Sequence, residues 1–255
     1  MPPPYQQPHW NVFAGIPYQA QGPIGVPPSQ WVVRHRLADV PNQAMLPNYQ
    51  LDRTAVRSIC QNPKKSVLFG YVYVMAWGGQ GSRQGGHRHI INAWNTRQQF
   101  KRHLRTLRKG KLSRIDAYNL LKHAAIPGLG PSFFTKLLYF FNPTPSFYIM
   151  DQWTAKSVNF LTGNRVVRMG GKAPSDNNTG GNYQAFCEEV DLIAGLLGCS
   201  GQVAEERLYS QGGHRWPWRA YVHANWADYR PAERYNAGNM HAIYPHIPFA
   251  DFRDD

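Results

Sequence analysis

Residues 126–151 read IPGLGPSFFTKLLYFFNPTPSFYIMD, and their punctuation decides the fold. A proline–glycine turn sets Ile126 and Leu129 around Gly128 and Gly130. Phe133, Leu137, Phe140 and Phe141 then recur at helical spacing, which predicts an amphipathic helix. A loop with two prolines follows and ends in Asp151, a residue type suited to start another helix as its N-cap. Upstream, Ser113 is a second N-cap candidate, with Ile115, Tyr118, Leu120 and Leu121 giving an apolar side up to Ala125. The order is helix, tight glycine turn, helix, loop, aspartate. Gly128 permits a positive φ in such a turn, and Gly130 lets main-chain amides approach a ligand at the next helix start, where the helix dipole favours a phosphate.

Outward from this stretch the chain is basic. Lys and Arg outnumber Asp and Glu by 28 to 15, for a formal charge of +13 and a pI near 9.8. The charge is clustered, which points to a polyanionic partner. In GGQGSRQGGHRH (78–89) five glycines accompany Arg83, His87, Arg88 and His89 with no acid. This reads as a basic surface loop able to approach phosphates. A basic amphipathic helix is expected over 94–108, with Phe100, Leu104 and Leu107 inward and Lys101, Arg102, Arg105 and Arg108 around them. The three cysteines, Cys60, Cys187 and Cys199, form no CxxC pair, which argues against a zinc finger and excludes a four-thiolate iron–sulfur cluster within one chain. No apolar run is long enough to cross a bilayer and no signal sequence opens the chain, so a cytoplasmic protein is expected.

Residues 1–30, rich in Pro, Gln, Gly and Tyr, predict an extended or partly disordered arm, with Trp10, Phe13 and Tyr18 available to pin it. The remainder, 31–255, is expected to be one domain. Within it a helix over 52–61 starts at Asp52. The apolar run VLFGYVYVMAW (67–77) is readable as buried helix or strand and leans to buried helix or irregular core. A helix ends at Gly163, 164–182 is a loop, 183–197 is a helix closed by Gly198, and 203–209 is another. An aromatic, basic tail runs from 211 to 255. The fold class expected is mainly α.

The hairpin IPGLG and an aspartate 21 residues beyond Gly130 resemble the helix–hairpin–helix DNA glycosylases, most closely the bacterial proteins with an 8-oxoguanine glycosylase fold. The likeness is strongest over 113–161, with the hairpin at 113–142 and the catalytic loop and helix at 143–163. It implies two helical subdomains with double-stranded DNA bound in the cleft between them, and one nucleotide everted into a pocket. The implied activity is hydrolysis of the N-glycosidic bond of a modified base, leaving an abasic site in base-excision repair or in defence against phage with modified DNA. The competing reading is a non-catalytic hairpin protein that only binds DNA. Relatives act as monomers, and a monovalent cation at the DNA-bound hairpin is the only cofactor implied. Larger members carry a further N-terminal domain that this chain looks too short to contain, so the base they remove is not carried over.

Residue by residue, Asp151 falls on the superfamily's catalytic aspartate. A carboxylate there stabilises the cationic sugar formed as the bond breaks and orients the attacking water. Bifunctional members carry a lysine nucleophile two positions after the second hairpin glycine, where this chain has Ser132, so a monofunctional, water-using enzyme is expected. Lys136, one turn further along the same helix face, is an electrostatic partner of Asp151 or an alternative amine for lyase chemistry. Main-chain groups of Ile126, Gly128, Leu129, Gly130 and Ser132, with Arg83, His87, His89, Arg105 and Arg108, are the DNA-contact candidates. Trp77, Phe134, Trp153, Trp216, Trp218 and Tyr221 are the aromatic candidates for the base pocket or its rim.

Overall fold

The computed structural model describes residues 5–78, 86–209 and 217–229. In chain order its helices are α1 (Gln7–Gly15), α2 (Pro28–His35), α3 (Arg53–Gln61), α4 (Val67–Trp77), α5 (Gly86–Asn95), α6 (Arg97–Arg108), α7 (Arg114–His123), α8 (Pro131–Phe141), α9 (Gln152–Thr162), α10 (Gly180–Leu197), α11 (Gly201–Tyr209) and α12 (Pro217–Asn225). One two-stranded antiparallel pair, β1 (Met169–Gly170) and β2 (Ala173–Pro174), interrupts them. The protein is mainly α, as its periodicity predicts.

The apolar run at 67–77 is α4, and every residue in it is buried. A helix with no polar side must be covered all round, and α2, α3, α6 and α8 pack against it. Gly70 lets two of these come close. A Cβ there would stand 3.0 Å from Phe141 Cζ and 3.2 Å from Cys60 Sγ. A second layer joins α7 and α11 to α10, and α11 and α12 to α9. The caps set the boundaries. Asp52 accepts the Ala55 amide at 2.7 Å and Ser113 that of Asp116 at 3.1 Å, while Gly163 and Gly198 close α9 and α10 in the left-handed region at φ 70° and 60°.

Four expectations change. The arm at 1–30 is not extended throughout: α1 is helical, with Trp10 and Phe13 buried, and α2 begins at Pro28. Phe13 packs on Trp218 with ring centroids 4.9 Å apart. Burial of such an aromatic contributes roughly 2–3 kcal/mol, which polar composition alone conceals. The basic helix expected over 94–108 is two helices broken at Thr96 (ψ 9°), whose hydroxyl turns back to the Ala93 carbonyl at 3.0 Å. Within the glycine-rich stretch, 86–89 already belong to α5. The polar segment 164–182 contains the β1–β2 pair and the start of α10, and the aromatic tail contains α12.

Candidate active site

The predicted hairpin lies between α7 and α8. Ala125 and Gly128 both take positive φ, 44° and 81°, and the Leu129 amide closes the turn on the Ile126 carbonyl at 3.1 Å. Gly128 abuts the main chain of α5: a Cβ there would stand 2.5 Å from the His89 carbonyl oxygen and 2.8 Å from His89 Cα. The glycine is therefore required twice, by conformation and by space. Exposed Arg88 and His89 sit at this junction. Ile126 and Leu129 point their side chains into the core, each 7% exposed, so only their main chain is available to a ligand. Gly130 is the N-cap of α8 and Pro131 its first residue. Pro131 has no amide, and the Phe133 and Phe134 amides return to the Gly130 carbonyl.

Asp151 is the N-cap of α9, and its two oxygens do different things. Oδ1 accepts the amides of Trp153 at 2.9 Å and Thr154 at 3.2 Å, while Thr154 Oγ1 accepts the Asp151 amide at 2.9 Å. That capping box fixes the carboxyl group's orientation. Oδ2 faces Lys136 Nζ at 3.8 Å. The ammonium donates to the Ser132 carbonyl at 2.7 Å, one turn back on the same helix. Its methylenes pass Gly78, where a Cβ would lie 2.9 Å from Lys136 Cδ. Both charged residues are buried, Lys136 to 6% and Asp151 to 8% exposure. Burial pushes the Lys136 pKa below the ordinary lysine value, against the pull of Asp151, which favours the cation.

The two side chains open into a cavity whose floor is a second ion pair that no local pattern announces. Arg53 of α3 and Glu205 of α11 are hydrogen-bonded there, with Glu205 fully buried. Burial lifts the Glu205 pKa while Arg53 opposes that shift. For Arg53, burial disfavours the cation, but Glu205 outweighs it and the net shift is upward. The Arg53 guanidinium stacks between Trp77 and Tyr139, 5.4 Å from each ring centroid. Trp77 and Tyr209 supply the cavity's aromatic lining. Its free space is about 40 Å³, room for about three water molecules.

The predicted residues divide clearly. Asp151, Lys136 and Trp77 come together at the cavity, although they lie on three separate elements. Trp153, the second residue of α9, is not among the residues lining the cavity; Arg219 and Lys156 lie 4.8 and 5.5 Å from its ring centroid. Phe134 is instead in the core against Tyr118, and Trp218 is fully buried with its Nε1 donating to Ser157 Oγ at 2.9 Å. Neither lines the cavity, because each faces the packed side of its helix. Tyr221 packs on His9 and Phe160. Arg108 donates inward, to the carbonyls of Cys60 at 2.7 Å and Lys65 at 2.9 Å, which ties it to the scaffold and removes two donors from any DNA contact. Arg105 is exposed. His87 pairs with His35 across a 3.0 Å Nδ1–Nδ1 contact. Arg83 and Trp216 lie outside the described residues. Arg53, Glu205 and Tyr209 were not anticipated.

The family model described as "Putative 8-oxoguanine DNA glycosylase OGG-like protein" matches residues 18–209. That span runs from before α2 to the last residue of α11 and contains the hairpin, Lys136, Asp151 and the Arg53–Glu205 pair. Neither a search of curated proteins nor one of solved structures returned a match.

Proposed function

The chain belongs to the OGG-like 8-oxoguanine DNA glycosylase family, and from that premise we propose that it is a DNA N-glycosylase that everts a modified base and hydrolyses its glycosidic bond. The observation that carries this reading is the division of labour at Asp151. One oxygen is fixed by the cap of α9, and the other is left toward a buried cavity beside a lysine 3.8 Å away. A carboxylate held this way can stabilise positive charge developing on the deoxyribose and orient water for attack at the anomeric carbon. The bond to the base breaks as the bond to water oxygen forms; the departing base carries away the bonding electron pair, and the proton lost by the water passes by way of the Asp151 carboxylate to that base.

The hairpin would grip a DNA phosphate through main-chain groups, with exposed Arg88, His89 and Arg105 adding charge. A bound monovalent cation would be held by hairpin carbonyls; among the described residues no group of three His, Cys, Asp or Glu side chains is placed to hold a metal. Also among the described residues, no helix is long and apolar enough to cross a membrane. Ser132 occupies the position where an amine nucleophile would stand, and Lys136 is engaged by a carbonyl and a carboxylate. Both features favour a monofunctional enzyme in which Lys136 acts electrostatically.

The test is Asp151→Asn assayed on duplexes carrying single oxidised, alkylated or deaminated bases, and on DNA of phage with modified bases. Wild type is expected to leave abasic sites on at least one of them. The variant should retain duplex binding and lose base release by at least about a hundredfold, in line with removal of one preorganised electrostatic group. If Asp151 served only as a cap, asparagine would be silent. A borohydride-trapped protein–DNA adduct that disappears in Lys136→Ala would replace the monofunctional assignment with an amine nucleophile.

A further inference from the structure

We propose that Tyr209 is the wall on which the everted base stacks, and that Arg219, from beyond the family-matched span, holds it there as a positioning residue. This rests on the glycosylase reading and names who shapes the pocket.

Tyr209 is the last residue of α11 and lines the cavity together with Asp151, Lys136 and Trp77. Its phenol lies close enough to Asp151 for the carboxylate to help burial raise its pKa. Arg219 of α12 grips the same residue twice. Its guanidinium lies 4.6 Å from the Tyr209 ring centroid, and it donates to the Tyr209 carbonyl from Nη2 at 3.2 Å and Nε at 3.4 Å. A cation at the last carbonyl of a helix is favourably placed. The same guanidinium lies 4.8 Å from the centroid of Trp153, two residues after Asp151. Arg219 therefore links the cavity's aromatic wall to the helix start that holds the carboxylate.

The column continues outward, with Lys156 between Trp153 and Trp226 at 5.5 and 4.7 Å and Trp226 stacked on Tyr229 at 4.7 Å. In such an alternation each cation is attracted to the ring faces on either side of it. Trp77, also on the lining, has an arginine against its ring as well: Arg53 of the cavity floor lies 5.4 Å from its centroid. Two aromatic residues on the cavity lining, each with a guanidinium against its ring, match a flat heteroaromatic ring.

The experiment uses the full chain and the duplex from which wild type releases a base, in single turnover. A matched duplex carrying a tetrahydrofuran abasic analogue probes binding without a base. Tyr209→Leu is expected to slow base release by about fivefold to a hundredfold, the range equivalent to one lost stacking contact. Tyr209→Phe, which keeps the ring, should release base faster than Tyr209→Leu, and tetrahydrofuran-duplex affinity should be unchanged in both. Arg219→Ala should raise the enzyme concentration needed for a half-maximal single-turnover rate more than it lowers the maximal rate in the wild-type background, and should add little in the Tyr209→Leu background. Base release by Tyr209→Leu at the wild-type rate overturns the inference and leaves the glycosylase standing, as does loss of tetrahydrofuran-duplex binding, which would mark the residue as structural. Wild type that releases no base from any duplex overturns the glycosylase reading and this inference with it.

Discussion

Gly128 stands at φ 81° with the His89 main chain where its Cβ would be. Gly128→Ala therefore meets both a strained conformation, costing on the order of 1–3 kcal/mol, and a clash with backbone that cannot rotate away. The expected outcome is a lowered urea midpoint together with weaker duplex binding, because the hairpin must move off α5. An unchanged midpoint would show that α5 yields freely. Lys136 makes a different prediction at this scale. Burial holds its pKa below the ordinary value of 10.5, so between the two pKa values the unfolded chain carries the extra proton. Stability contributed by this residue must then rise with pH through that window, by up to about 1.4 kcal/mol per pH unit. Denaturation of wild type and Lys136→Met across the alkaline range should show the stability difference shifting in favour of wild type as pH rises toward 10.5, and a constant difference would contradict the desolvated lysine.

At the scale of elements, α9 separates the two roles of Asp151. Asparagine is as good an N-cap as aspartate, whereas alanine loses about 1 kcal/mol of capping. Asp151→Asn should therefore keep the cap and lower the urea midpoint only through the loss of the buried Lys136 ammonium's partner, while removing activity, and Asp151→Ala should lower the midpoint further. Equal destabilisation by the two variants would mean that charge, rather than capping, holds the helix start. What was readable in the sequence follows the same physics. Helix ends at Asp52, Ser113, Asp151, Gly163 and Gly198 were legible because caps are local devices written within a few residues. The break at Thr96 was not, since neither glycine nor proline marks it. The floor of the cavity was beyond local reading altogether: Arg53 and Glu205 are 152 positions apart, and only tertiary packing makes them partners. Phe134 and Trp218 failed as pocket candidates because residue type cannot tell which side of a buried helix faces a cavity.

The molecule as a whole is clasped by its first and last described helices. His9 of α1 stacks on Phe160 of α9 at 3.9 Å and shares a 3.0 Å hydrogen bond with Tyr221 of α12, and Phe13 packs on Trp218. Phe13→Ala, at a fully buried position, should cost roughly 3–5 kcal/mol and lower the thermal midpoint. Base release measured well below that midpoint should fall much less, since Phe13 does not line the cavity. A thermal midpoint equal to wild type would show that α1 packs only loosely.

The meeting of α1 and α12 on α9 also has a consequence in time. A chain emerging from the ribosome has made Asp151, the hairpin and Lys136 while α12 is still unsynthesised, so the helix that presents the carboxylate lacks one of the helices that pack against it. Arg219 reaches Tyr209 only when nearly all of the described chain has been translated. Synthesis itself thus delays assembly of the cavity wall, and an incomplete chain can hold the hairpin without yet holding a finished site.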